Sequence, residues 1–147
     1  MDPTDLRTRC AHAYDLYGRA CDRHDLSALR SLATEDVEIE IQGPRARTGR
    51  GIQTYLGLYR DHDPELATRH VIGSVLAERR GSQIHTDAHF QAFTFADAHT
   101  RITFGVYRNV YREVGDALLI ARLDILVRRH LDLPVSMPVA PSADDLQ

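Results

Sequence analysis

The chain has 147 residues, 43% hydrophobic and 27% charged, with a formal net charge of -3, which fits one domain around one core. Its basic residues are scattered, the densest runs being Arg79-Arg80 and Arg128-Arg129-His130, which argues against a phosphate-tracking stripe and against nucleic acid as a partner. No apolar run approaches the ~20 residues of a membrane span, and Met1 to Arg9 lack a signal-peptide pattern, so a reducing cytoplasm is the expected compartment.

Asp2-Pro3-Thr4-Asp5 reads as a helix start, with Asp2 as cap and Pro3 in the first turn. Leu6, Cys10, Ala13, Tyr14, Tyr17 and Cys21 then recur at three- and four-residue steps and lay one apolar, tyrosine-rich stripe on a long first helix. The only cysteines, Cys10 and Cys21, fall about 16 Å apart on that helix and cannot bridge. The pattern resets at His24-Asp25, where Asp25 can cap a second helix carrying Leu26, Ala28, Leu29 and Leu32. Val37, Ile39 and Ile41 alternate with Asp36, Glu38 and Glu40 as a half-buried strand that stops at Gly43-Pro44. Gly49-Arg50-Gly51 opens a third helix with Ile52, Tyr55, Leu56 and Tyr59 on one face. From Thr68 the period becomes that of strands, predicted at 68–78, 83–95, 101–113 and 117–129 and separated by Arg80-Gly81, Asp97-Ala98-His99 and Gly115-Asp116. The expected architecture is α+β: three helices on a strongly curved, mixed but mainly antiparallel sheet, closing into a cone-shaped barrel around a pocket. Residues 1–133 form the domain, and 134–147, with Pro134, Pro138 and Pro141, read as a flexible tail.

Three segments carry a family resemblance: Tyr14 to Asp25 followed by Leu32-Ala33-Thr34-Glu35-Asp36-Val37, then Thr68-Arg69-His70-Val71-Ile72-Gly73-Ser74, and finally Gly105-Val106-Tyr107 with Leu119-Ile120-Ala121-Arg122. Together with the element order, they resemble the nuclear transport factor 2-like superfamily, specifically the SnoaL-like polyketide cyclases and scytalone dehydratases, over residues 8 to 130. The resemblance implies a catalytic aspartate at the end of the first helix, matching Asp22, and a catalytic histidine in the Thr-x-His segment, matching His70. It implies no cofactor and no metal. The chain departs from the scytalone dehydratase pattern where Cys21 replaces a tyrosine and where Phe93 falls nearest the second catalytic histidine, which points to a different reaction. Small subunits of aromatic-ring dioxygenases share the expected fold.

The residues themselves permit two readings at most positions. Asp22, at the negative end of a helix dipole and partly buried, is expected to have a raised pKa and to act as a base; the plain alternative is a cap or a surface pair with Arg19 or Arg23. His70, on a strand beside Val71 and Ile72, can serve as acid, base or donor near neutral pH, or be structural. His85, Asp87, His89 and Gln91 share one strand face, either pocket wall or solvated surface, with the pocket slightly favoured. His85 and His89 lie about 14 Å apart along an extended strand, so one metal could hardly take both with Asp87. Tyr14, Tyr17, Tyr55 and Tyr59 can line the pocket as substrate-orienting phenols or simply be core. Arg122, sharing a face with Asp124, Leu118, Ile120 and Leu126, either pairs with Asp124 or Asp22 or anchors a substrate. No Gly-x-Gly-x-x-Gly, Walker, Gly-x-Ser-x-Gly or Cys-x-x-Cys motif occurs.

The expected function is a cofactor-independent cyclase, dehydratase or isomerase working by acid-base chemistry on a polyketide-like or related small molecule of secondary metabolism. The rival is a non-catalytic dioxygenase small subunit or a binding and dimerisation module. A homodimer is the expected assembly, by resemblance.

Overall fold

The computed structural model describes residues 2–135. They form helices α1 (Pro3–Asp22), α2 (Leu26–Ser31) and α3 (Ile52–Arg60) and strands β1 (Ala33–Gln42), β2 (Arg47–Arg50), β3 (Ala67–Arg80), β4 (Gln83–Phe95), β5 (His99–Tyr107), β6 (Val110–Val114) and β7 (Ala117–Pro134). Apart from Pro134 and Val135, the predicted tail lies outside the described residues.

The Asp2 side chain accepts from the Thr4 N–H, Pro3 occupies the first turn, and the apolar stripe is buried from Leu6 through Ala20. The cap satisfies one of the N–H groups that a helix start leaves without a partner. α1 stops where His24 takes a left-handed φ of 52°, and Asp25 at once caps α2 by accepting from the Ala28 N–H. The strands follow in the order β2-β1-β7-β5-β4-β3, with β6 bridging β4 and β7. Only β1 and β7 run parallel; the other pairs are antiparallel. β3 is thus an edge strand, and α1 lies along it.

Three details differ from expectation. The segment predicted as one strand over 101–113 is two, β5 and β6, broken at Arg108-Asn109. The break is a polar joint: the buried Asn109 accepts from both the Thr86 N–H and hydroxyl through its carbonyl, and from the Asp124 N–H through its side chain. A short strand, β2, fills the segment after Gly43-Pro44 and pairs with β1. Finally, β7 carries a register shift between its pairings with Val110 and Tyr111, opposite Arg122 and Ile120. An extra residue in a ladder reverses the alternation beyond it. Before the shift Leu118 and Ile120 face the core; after it Leu123, Ile125 and Val127 do.

The largest fully buried side chains of the interior are tyrosines. Tyr14 packs on Tyr107 and Tyr111, Tyr17 on Tyr59 and Tyr107, and Tyr55 on Tyr59, at centroid separations of 5.3 to 6.3 Å. Such tilted and edge-on contacts favour ring quadrupoles, and each ring removes about 150–250 Å² from water. Around them sit Leu29, Val37, Ile39, Ile84, Ile120 and Leu123. Glycine opens room in two places. A Cβ on Gly105 would lie 2.3 Å from the Leu126 carbonyl oxygen and 2.6 Å from the Phe90 ring, and one on Gly18 would lie 3.3 Å from the His70 Cβ.

Candidate active site

A groove of about 540 Å³ runs along the seam between α1 and β3, bordered by Tyr14, Asp15, Gly18, Arg19, Asp22, Arg23, Arg69, His70 and Ile72. The final residue of α1 supplies Asp22, and the inward face of β3 supplies His70. Their meeting depends on Gly18, one turn before Asp22, because the missing side chain lets the strand approach the helix.

Asp22 receives three hydrogen bonds. Its Oδ1 lies 2.6 Å from the His70 Nδ1 and 3.1 Å from the donating Thr68 hydroxyl, and its Oδ2 accepts the His70 backbone N–H at 3.0 Å. Both side chains are largely sheltered, with relative exposures of 11% for Asp22 and 18% for His70. Burial pushes the Asp22 carboxyl up, but the His70 ring hydrogen bond, the His70 N–H, the charge His70 carries when protonated and the Thr68 hydroxyl outweigh it, and its pKa is lowered. The expectation of a raised pKa is therefore corrected. Donors aimed at a carboxylate stabilise its charged form, and at this helix end they override the dipole. A carboxylate held ionised can only accept, so Nδ1 of a neutral His70 carries the proton and the lone pair is left on Nε2.

The four tyrosines part from the expected role. Tyr14 alone borders the groove, and its hydroxyl is committed. Because Thr86 donates to the Asn109 carbonyl, the 2.6 Å contact between the Tyr14 and Thr86 hydroxyls must be donated by Tyr14, which also accepts the Asn109 N–H. Tyr17 and Tyr59 bond to each other, and Tyr55 donates to the Leu29 carbonyl. Burial raises all four phenols well above the usual range. They build the core behind the groove. Cys21, in contact with that core, is pushed up to about 12, mainly by burial, and stays a thiol.

His85 and His89 fall on the outer face of β4, because Ile84, Thr86, Ala88 and Phe90 take the inward positions. His85 borders a second hollow with Asp87, Arg108, Arg122 and Asp124, while His89 borders a third with Val71, Ser74 and Arg128. The slight preference for a pocket-facing set is thus corrected. Arg122 also lies outside the seam, since the β7 bulge turns it outward. It faces Glu38 and Asp124, each at 3.6 Å, and not Asp22. Phe93 stands opposite Arg69 in the β3–β4 ladder and stacks on Phe95, whereas the residue opposite His70 is Ala92.

The family model described as the SnoaL-like domain matches residues 3–124. The chain belongs to the SnoaL-like domain family. Solved structures share its cone-like fold, that of the nuclear transport factor 2-like superfamily. One, from Novosphingobium aromaticivorans DSM 12444 and provisionally assigned as a scytalone dehydratase, is 16% identical with a TM-score of 0.76 over 90% of this chain and 93% of the other. Another, the hexachlorocyclohexane dehydrochlorinase LinA-type3 of Novosphingobium barchaimii LL02, is 14% identical with a TM-score of 0.76 over 95% and 97%. The beta subunit of a provisionally assigned aromatic-ring-hydroxylating dioxygenase, also from Novosphingobium aromaticivorans DSM 12444, is 15% identical with a TM-score of 0.72 over 86% and 91%. At these identities the likeness shows the fold alone. A comparison with curated proteins finds no match.

Two residues of this SnoaL-like domain shape the seam without standing out in the sequence. Thr68 figures there only as part of a motif. Gly18, inside a 20-residue helix, costs about 1 kcal/mol against alanine in helix propensity, and that mismatch is the available signal for a close approach. No helix among the described residues is long and apolar enough to cross a membrane.

Proposed function

We propose that this SnoaL-like domain is a cofactor-independent lyase or isomerase, of cyclase, dehydratase or related type, in which His70 moves a proton on a small organic molecule held in the α1–β3 groove. The observation that carries the reading is the 2.6 Å contact between the His70 Nδ1 and an Asp22 carboxylate that is itself fixed by two further donors.

The roles follow from the protonation states. Asp22 fixes the ring orientation and tautomer and stabilises the imidazolium that forms when Nε2 accepts a proton. His70 is then the base, and Asp22 is a positioning residue. Such a pair suits removal of a proton beside a carbonyl or other electron-withdrawing group, followed by loss of a leaving group, ring closure or reprotonation. General base catalysis by a positioned histidine contributes roughly 10²–10⁴-fold. Polyketide-like intermediates, rich in acidic C–H bonds, are the substrate class this chemistry fits.

The reading can be tested without the natural substrate. A panel of small β-dicarbonyl compounds is incubated in D₂O with the protein, and α-carbon deuteration is followed by NMR. Catalysed exchange by the native chain, lost in His70→Ala and strongly reduced in Asp22→Asn, is the expected result. Exchange by His70→Ala at the native rate would sink the reading.

A further inference from the structure

The groove beside Asp22 and His70 is positive, although the whole chain carries a net charge of -3. Three arginines, Arg19, Arg23 and Arg69, share its border with two carboxylates, Asp15 and Asp22. The Asp22 charge is engaged by His70 and Thr68.

Arginines elsewhere on the surface are mostly matched. Arg30 lies against Glu35, Arg50 against Glu38, Arg101 against Asp132, and Arg112 against Asp36. Among the described residues, none of the three groove arginines shares an ion pair with a carboxylate, and Asp15, one turn before Arg19, pairs with none of them. Arg69 spends one N–H on the Thr68 carbonyl at 3.3 Å and keeps the rest of its fork.

Guanidinium groups carry a fixed charge and a planar fork that fits carboxylate and phosphate oxygens. Three of them around one hollow, without carboxylate partners from the protein, leave the counter-charge to be brought by the ligand. We propose that the molecule bound in the α1–β3 groove is an organic anion, a carboxylate or phosphate ester, whose charged group is held by Arg19, Arg23 and Arg69 while its reacting carbon faces His70. This deepens the acid-base reading of the same groove and rests on it for the placement of the reacting atom, but not for the affinity.

The arrangement also has a mechanistic use. Removing a proton beside a carboxylate or carbonyl builds negative charge on oxygen, and guanidinium groups already in place stabilise it without reorganisation.

The experiment is calorimetric titration of the full chain with three naphthyl probes: 1-naphthoate, its neutral isostere 1-naphthamide, and 1-naphthyl phosphate. The expected result is that at least one anion binds about tenfold tighter than the amide, the selectivity of one charge-assisted hydrogen bond in a half-exposed site. Which anion binds tighter tells carboxylate from phosphate. The preference should fade between about 10 mM and about 1 M NaCl, as the screening length falls from about 30 Å to about 3 Å. It should vanish in the Arg19→Gln/Arg23→Gln/Arg69→Gln variant and persist in the corresponding triple lysine variant, with unchanged thermal unfolding showing that both fold. Equal binding of anions and amide by the native chain, no binding of either anion, or an anion preference that survives in the triple glutamine variant overturns the proposal. The readout separates it from the acid-base reading: His70→Ala should keep the anion preference, so loss of that preference and survival of proton exchange in His70→Ala are independent failures.

Discussion

The seam between α1 and β3 and the outer sheet face around β4 and β7 are built from the same residue types, histidine beside aspartate beside arginine, arranged in contrasting ways. In the seam one carboxylate collects three hydrogen bonds between 2.6 and 3.1 Å and is sheltered from water. On the outer face Asp124 lies 3.6 Å from Arg122 and 3.9 Å from Arg108, and both arginines are nearly half exposed. In the first place donors fix one protonation state and one ring orientation. In the second, opposite charges balance at loose distances around an Asp124 that is itself only 13% exposed, and among the described residues no donor within hydrogen-bond distance of its carboxylate fixes one geometry. What separates candidate chemistry from surface electrostatics here is donor geometry and the absence of a neutralising partner, rather than the number of charged groups.

The contrast can be broken most severely at His70. His70→Ala should lower turnover by about 10³-fold, the scale of a positioned general base, with a modest loss of thermal stability because the sheltered Asp22 carboxylate loses its ring partner. Asp22→Asn keeps the shape but offers Nδ1 an amide, and a loss of about 10²-fold in kcat is expected, measured by the same exchange assay.

Asp22 should also register in acid. Its folded pKa lies below the ordinary aspartate value of about 3.9, so it contributes stability that is present above that value and is lost as pH falls through the lower folded pKa. Urea unfolding between about pH 5 and pH 2 should therefore show a steeper acid limb for the native chain than for Asp22→Asn; identical limbs would count against the carboxylate being held ionised.

Gly18→Ala makes a subtler break. The added methyl, 3.3 Å from the His70 Cβ, should displace the ring by a few tenths of an ångström and cost up to about tenfold in kcat, while helix propensity gains up to about 1 kcal/mol. Activity and stability moving in opposite directions would be the signature. Least of all should follow from Arg122→Ala, His85→Ala or His89→Ala: turnover within about twofold of native and stability within about 0.5 kcal/mol. A large loss of activity in any of these would bring the outer face back into the site.

Much of the fold is legible from residue order. The α1 stripe, the caps at Asp2 and Asp25 and the alternation of Val37, Ile39 and Ile41 are local signals, and the structure follows them. The proximity of Asp22 and His70, 48 positions apart, comes only from resemblance, since no local pattern reports which strand lies under a helix end. The outward turn of Arg122 is hidden because a bulge leaves no compositional mark yet reverses every side chain beyond it. The tyrosines mislead for a different reason. A phenol at helical spacing can face a cavity or a core, and only the partners of its hydroxyl decide. For Tyr14 those partners, Thr86 and Asn109, sit far along the chain. The sign of the Asp22 shift escapes a local reading because the opposing donors come from β3.

The linked tyrosine rings have an optical consequence. The chain has six tyrosines and no tryptophan, and all six rings belong to that one network. Near-ultraviolet circular dichroism at tyrosine wavelengths and phenol fluorescence therefore report the packed interior, while the residues that distinguish the seam, Asp22, His70 and the three arginines, absorb nothing there. A variant of those residues that keeps the native tyrosine spectrum has kept its core, so an unlabelled protein in a cuvette can separate a lost reaction from a lost fold.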